Sequence, residues 1–213
     1  MILPDNQANR ERAARMIAAG GLIAFRTDTF YGLGADPFNP PAVRQIIDLK
    51  GREGKPILLL ISDLEEADRF IVDQTEPFKL LAKSLWPGPL TIVSTANAGL
   101  SSDLTAGTNT IGVRLPDGES LRDLIRLCGG ALTATSANRT GAPPARTAEE
   151  VANYFHSGLD LILDSGETSA TSASTVLDVT TAAPRLIREG AISRAKLEEI
   201  LGRIEEQDSG ANH

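Results

Sequence analysis

The sequence predicts one α/β domain, and three observations carry the prediction. Short apolar runs with strand character alternate along the chain with segments whose apolar residues recur at helical spacing. No Ser- or Pro-rich linker divides them, and no internal repeat is present. The 213 residues, 41% of them hydrophobic, suffice for one sizeable core.

Asn6 is placed to cap a first helix through Ala18, with Met16 and Ile17 inward and Gly20-Gly21 ending it. Leu22-Ile23-Ala24-Phe25 reads as a buried strand. Pro40-Pro41 opens a second helix on Val43, Ile46 and Ile47, stopped near Gly51. A strand is expected over 56–61, then helices over 63–71 and 76–85, the latter with Phe78, Leu81 and Leu85 on one side. Further strands are expected over 90–93, 110–114 and 131–134, with a helix over 121–128 closed by Gly129-Gly130. Thr147 and Glu150 form a capping box for a helix through Phe155. Late strands fall over 160–163, 175–179 and 185–188. Ser193 caps a last helix with Leu197, Ile200, Leu201 and Ile204 inward. The domain is expected to span 1–206, with the acidic end fraying from Glu205 and 207–213 disordered.

Composition removes several function classes. With 21 basic and 28 acidic residues the net charge is −7, which disfavours a broad nucleic-acid surface. Aromatics are 4%, too few for base-stacking platforms. One cysteine, Cys128, excludes a disulfide framework and a multi-cysteine metal site; its spacing from Leu121 and Leu124 makes it a small buried hydrophobe. His156 and the terminal His213 offer no histidine triad or metal cluster, so no metal-ligating residues are expected. Met1-Ile2-Leu3-Pro4-Asp5 has no signal-peptide core, and Ile57-Leu58-Leu59-Leu60-Ile61 is too short to span a bilayer. A cytoplasmic protein without membrane contact is expected.

Four segments could carry chemistry. Thr27-Asp28-Thr29-Phe30-Tyr31-Gly32-Leu33-Gly34 follows the first strand and reads as a tight Gly-x-Gly turn, or as a turn that lets a small polar ligand approach the backbone. It matches neither common nucleotide loop: Pro37 replaces the third dinucleotide glycine, and the Walker spacing before Gly54-Lys55 is missing. Lys50, Arg52 and Lys55 form a basic spot that is either a helix C-terminal cap or a phosphate clamp. Thr133 to Gly141 is dense in hydroxyls and amides without a general base. Arg114 and Arg188 end strands, with Ser174-Thr175 between them in sequence, and each could simply snorkel to water. No nucleophile–base pair is present. Cations and hydroxyls without His or Cys suit charge neutralisation and positioning, the means by which nucleotidyl transfer is catalysed.

In this order the segments resemble the YrdC/TsaC family of threonylcarbamoyl-AMP synthases. The resemblance rests on Thr27-Asp28-Thr29 with Tyr31-Gly32-Leu33-Gly34, Lys50-Gly51-Arg52, Trp86-Pro87-Gly88-Pro89-Leu90-Thr91, Gly112-Val113-Arg114-Leu115-Pro116, Ser136-Ala137-Asn138, Ser174-Thr175-Val176 and Arg188-Glu189-Gly190. Any one piece is weak, but seven in order span roughly residues 10 to 200. The resemblance implies an open twisted mixed sheet flanked by helices, with a concave basic pocket. It implies synthesis of threonylcarbamoyl-AMP and pyrophosphate from L-threonine, bicarbonate and ATP, with Mg²⁺. The product would pass to a tRNA-modifying transferase complex for threonylcarbamoyladenosine at position 37, with weak tRNA contact possible. By the same resemblance Lys50 and Arg52 are catalytic, and Thr27, Arg114, Ala134 and Ser174 hold threonine. Arg52, Lys55, Thr110, Ser136, Asn138 and Arg188 hold ATP.

The match is to the short, single-domain form, with two local departures: Arg26 replaces a usual proline, and Leu60 replaces a histidine of some members. The alternative reading is a duplex-RNA- or tRNA-binding module of the same fold without synthase activity. A carbamoyl-transfer domain of the hydrogenase-maturation kind would also bring zinc-finger cysteines and an acylphosphatase region, which this sequence lacks.

Overall fold

Strand pairing sets the frame. In the computed structural model, which describes residues 1–51 and 54–206, the strands join in one mixed sheet. They are β1 (Ile2–Pro4), β2 (Ile23–Arg26), β3 (Tyr31–Gly34), β4 (Leu58–Ile61), β5 (Leu90–Thr95), β6 (Thr110–Arg114), β7 (Ala131–Ser136), β8 (Leu161–Asp164), β9 (Thr175–Asp178), β10 (Arg185–Arg188) and β11 (Glu205–Glu206). Their spatial order is β1-β8-β2-β3-β7-β4-β6-β5-β9-β10-β11. The sheet combines antiparallel pairs such as β2–β3, β3–β7 and β5–β6 with parallel pairs such as β4–β6 and β5–β9.

The helices are α1 (Gln7–Ala18), α2 (Pro40–Lys50), α3 (Glu76–Leu85), α4 (Ser102–Thr105), α5 (Glu119–Leu127), α6 (Ala148–Tyr154) and α7 (Arg194–Leu201). Caps identified in the sequence start several of them: Asn6 accepts from the Asn9 amide, Thr147 from Glu150 and Ser193 from Lys196.

The helices do not cover the sheet evenly. On one face, α2, α3 and α7 pack over Leu59, Ile92, Val113 and Leu177, while α6 packs over Ala24, Tyr31 and Leu33. On the other face, α1 and α5 cover only the part built around Ile23, Phe25, Leu60, Leu132 and Leu161. The remainder of that second face, across β4 to β6 and β9, is left to the site.

Several segments differ from expectation. Tyr31–Gly34 is a strand, β3, and the turn lies earlier, where the Thr27 amide donates to the Phe30 carbonyl at 3.2 Å. The segment expected as a helix over 63–71 is a 3₁₀ helix, Leu64–Arg69. The strand β1 and the helix α4 carry no sequence signal strong enough to announce them. The last helix stops at Leu201; Ile204 is buried beyond it, and Glu205–Glu206 pairs in parallel with β10 instead of fraying. Arg52 and the tail expected over 207–213 lie outside the described residues.

The chain crosses between distant strands once by a structureless path. Residues 165–174 run from β8, second in the sheet, to β9, ninth. This strap is tied down by the Tyr31 hydroxyl on the Gly166 carbonyl at 2.9 Å and by the Thr168 hydroxyl on the Thr29 carbonyl at 2.6 Å. Arg26 donates to the Glu167 carbonyl at 3.2 Å, so the residue that departs from the usual proline fastens the strap.

Candidate functional site

The bare part of the second sheet face forms a cavity of about 650 Å³. Strand alternation builds it. Leu90 and Ile92, Ile111 and Val113, and Leu177 point into the core, while Thr91, Val93, Gly112, Arg114 and Val176 line the cavity. Lys55, Arg114 and Arg188 bring three cations to the lining. Among the described residues, no Asp, Glu, His or Cys lines it.

Of the residues singled out in the sequence, Thr27, Lys55, Thr110, Arg114, Ala134, Ser136, Ser174 and Arg188 meet around this one cavity. Lys50 and Asn138 stand beside it and do not line it. Lys50 is 6% exposed, and its ammonium is held by the Ser136 carbonyl, by the Asn138 carbonyl at 2.9 Å and by Asn138 Oδ1 at 3.4 Å. In return, the Thr140 hydroxyl donates to the Lys50 carbonyl at 3.1 Å. The end of α2 is thereby stitched to the loop after β7.

Arg114 is the most buried cation of the site, at 3% exposure. Its Nη2 lies 3.3 Å from Asp28 Oδ1, and its Nη1 is 3.4 Å from the Thr29 hydroxyl. Arg114 Nε and Asp28 Oδ1 make no hydrogen bond, so the Asp28 contact is Coulombic rather than well aligned. Burial pulls the guanidinium pKa down; Asp28 opposes that shift and Arg188 adds to it. A buried, charged fork with long, poorly aligned partners is under-satisfied, and a ligand carboxylate or phosphate would complete it. Asp28 Oδ2 in turn accepts from the Asp117 amide at 3.4 Å.

The threonines after β2 are mutually bonded. Thr27 Oγ1 donates to the Phe30 carbonyl at 2.8 Å, accepts from the Thr29 amide at 3.1 Å and lies 3.0 Å from Thr29 Oγ1. This is a hydroxyl-braced turn that holds the Thr27 side chain at the cavity wall.

On the opposite wall, Ser174 Oγ is 3.1 Å from Thr91 Oγ1, and Arg188 donates to the Ser174 carbonyl at 2.8 and 3.1 Å. Arg188 is exposed as a residue, but its guanidinium is tucked against Ser174, and that partial burial lowers its pKa. Gly190 makes the wall possible: a Cβ there would meet the Ala173 carbonyl oxygen at 2.2 Å. Its amide donates instead to Thr175 Oγ1 at 3.0 Å, pinning the segment that carries Ser174.

Sequence reasoning assigns no role to Asp28, Thr29 or Thr91. Thr91 closes the Trp86-Pro87-Gly88-Pro89-Leu90-Thr91 piece of the resemblance, and its alternation within Leu90-Thr91-Ile92 is the local signal that could have marked it. Leu60, the second departure, is fully buried among Ala13, Leu121 and Ile125 and is not a lining residue; Leu58 lines the cavity in its strand. Cys128 is half-buried at the end of α5, where burial pushes its thiol up to about 12 and keeps it protonated.

A resident Mg²⁺ would need a set of oxygen donors. Among the described residues no cluster of three His, Cys, Asp or Glu side chains could hold a metal, and the cavity lining has no carboxylate. The described residues therefore do not fit a resident hard cation, which takes oxygen ligands, chiefly carboxylates.

A family model for Sua5/YciO/YrdC domains, described as telomere recombination, matches residues 15–190. The threonylcarbamoyl-AMP synthase of Pyrococcus abyssi is 37% identical over 193 residues, 90% of this chain and 57% of that protein. The threonylcarbamoyl-AMP synthase of Idiomarina loihiensis is 37% identical over 176 residues, 80% of this chain and 94% of that protein. The crystal structure of P. abyssi Sua5 complexed with L-threonine superposes with a TM-score of 0.93 at 34% identity, covering 97% of this chain and 62% of that one. The chain thus spans less than two thirds of the P. abyssi proteins it resembles.

Proposed function

This chain belongs to the Sua5/YciO/YrdC family, and from that premise we propose that it is an L-threonylcarbamoyladenylate synthase, an adenylyl-transferring enzyme that uses L-threonine, bicarbonate and ATP. The observation that carries the reading is Arg114: a buried guanidinium with long, poorly aligned partners, facing a cavity lined by cations and hydroxyls and by no described acid.

In this reading Arg114 takes the threonine carboxylate, and Thr27, Ala134 and Ser174 form the surrounding wall. Lys55, Thr110, Ser136 and Arg188 face the nucleotide, and Arg52 joins them as a catalytic cation. Lys50 and Asn138 act by holding the loop that presents Ser136. The threonine amine attacks the bicarbonate carbon, so that a C–N bond forms as a C–O bond breaks and water leaves, and an oxygen of the resulting carbamate attacks the α-phosphorus. A new P–O bond forms as the bond to the bridging oxygen breaks, and pyrophosphate carries that electron pair away. The cations neutralise charge that grows on the phosphoryl oxygens, and the fixed walls align the two reactants. Mg²⁺ has no cage among the described residues, and no step is assigned to it. The product passes to a tRNA-modifying transferase.

The duplex-RNA alternative draws no support from Arg114, because a cation that neutralises a duplex phosphate must be exposed, and Arg114 is buried. The test is pyrophosphate release from ATP. Release is expected only with L-threonine and bicarbonate together; release indifferent to threonine would refute the synthase reading.

A further inference from the structure

Two glycines on β3, Gly32 and Gly34, share one face of the sheet, with Tyr31 and Leu33 pointing into the core on the other. Their missing side chains do different work. At Gly34 the space is filled: a Cβ would fall 2.6 Å from Phe25 Cε1 and 3.2 Å from the Thr133 carbonyl oxygen. Gly34 is therefore glycine for packing. At Gly32 a Cβ would meet only ordinary contacts, the Thr135 carbonyl oxygen at 3.6 Å and Thr27 Cγ2 at 3.7 Å, and it would project into the cavity that Gly32 lines. Its φ is not in the left-handed region, so no backbone constraint calls for glycine either.

A glycine inside a strand that neither packing nor conformation requires is a cost without a structural return, since alanine there would be more stable. Its position supplies the return. Gly32 pairs with Ser136 across β3–β7 and lies beside Thr27, between the wall assigned to threonine and the wall assigned to the nucleotide. We propose that Gly32 is a positioning residue for the reaction: the reacting ends of the two substrates meet directly on the β3 backbone in the Cβ-sized space it leaves. This inference rests on the synthase reading for the identity of the two ligands. A methyl at that point would displace the approaching carbamate and α-phosphate, and a misplacement of about 1 Å costs on the order of 10²-fold in rate.

The test compares Gly32→Ala, Gly32→Ser and Gly34→Ala with the wild type by thermal unfolding, by calorimetric titration with L-threonine and with ATP separately, and by threonine-dependent pyrophosphate release. Gly32→Ala is expected to melt at or above the wild-type temperature while turnover falls about 10²-fold, with Gly32→Ser lower still. Gly34→Ala is expected to melt lower because Phe25 must move. Wild-type turnover in Gly32→Ala would overturn the proposal, and so would a clear loss of its melting temperature. If the wild type binds either ligand but releases no pyrophosphate, the synthase reading fails, and the proposal is judged on whether Gly32→Ala weakens that binding at least tenfold. If it binds neither, both fall.

Discussion

A guanidinium as buried as that of Arg114 needs a counter-charge, and Asp28 is the carboxylate at ion-pair distance, with side-chain exposures of 4% and 10%. The pair is what lets a full positive charge sit at the cavity wall before any ligand arrives. Asp28→Asn keeps the shape and removes the compensation. We expect it to lower the unfolding free energy by about 3 kcal/mol, the low end for breaking a buried pair, because Arg114 faces the cavity. Urea unfolding measures it; a loss under about 1 kcal/mol would mean that Asp28 does not carry the compensation. Arg114 was legible as a strand-end arginine, whereas Asp28 was not. Nothing in Thr27-Asp28-Thr29 says which of the three side chains turns back under the sheet, since that is decided by β6 arriving from about ninety residues downstream.

Among the elements, those with strong local chemistry could be read directly. Asn6, Thr147 and Ser193 name their helices because a cap is a contact within one turn. β3 could not be read, because Tyr-Gly-Leu-Gly offers too few side chains to display an alternation, and its glycines suggest a turn. The helix expected over 63–71 has the composition of an α-helix but closes as a 3₁₀ turn. The basic run after α2 posed a choice between cap and clamp; Lys50 stands in the last turn of α2, and its ammonium braces the loop after β7. Lys50→Met leaves those carbonyls short of a donor, at a cost of about 1–3 kcal/mol for each unsatisfied group. The expected result is faster amide hydrogen exchange over 136–142 and weaker ATP binding, with threonine affinity retained. Unchanged exchange in that segment would show that Lys50 does not act through the loop.

For the whole molecule, alkaline pH should expose the cost of two acids whose pKa is raised by desolvation. Burial pushes Tyr31 from 10.0 up to about 12 and Cys128 from 9.0 up to about 12. In the unfolded chain both ionise at their ordinary values, so the unfolded state loses protons that the folded state keeps. Stability is therefore fully present below about pH 9 and falls as pH rises toward 12, by at most about 1.4 kcal/mol per pH unit for each group. Urea midpoints at pH 8, 9 and 10 test this, and Cys128→Ala should flatten the first part of the decline; an unaltered slope would contradict it. At the same scale, the strap over 165–174 determines when the molecule can first work. The strap ends at Ser174 and leads into β9 and on to Arg188, so this wall is synthesised after the rest of the pocket, and until then β5 has no β9 beside it. From the completion of β5 until β9 is made, a nascent chain thus carries an open strand edge and an unfinished pocket, a natural target for a chaperone and a useless one for a substrate.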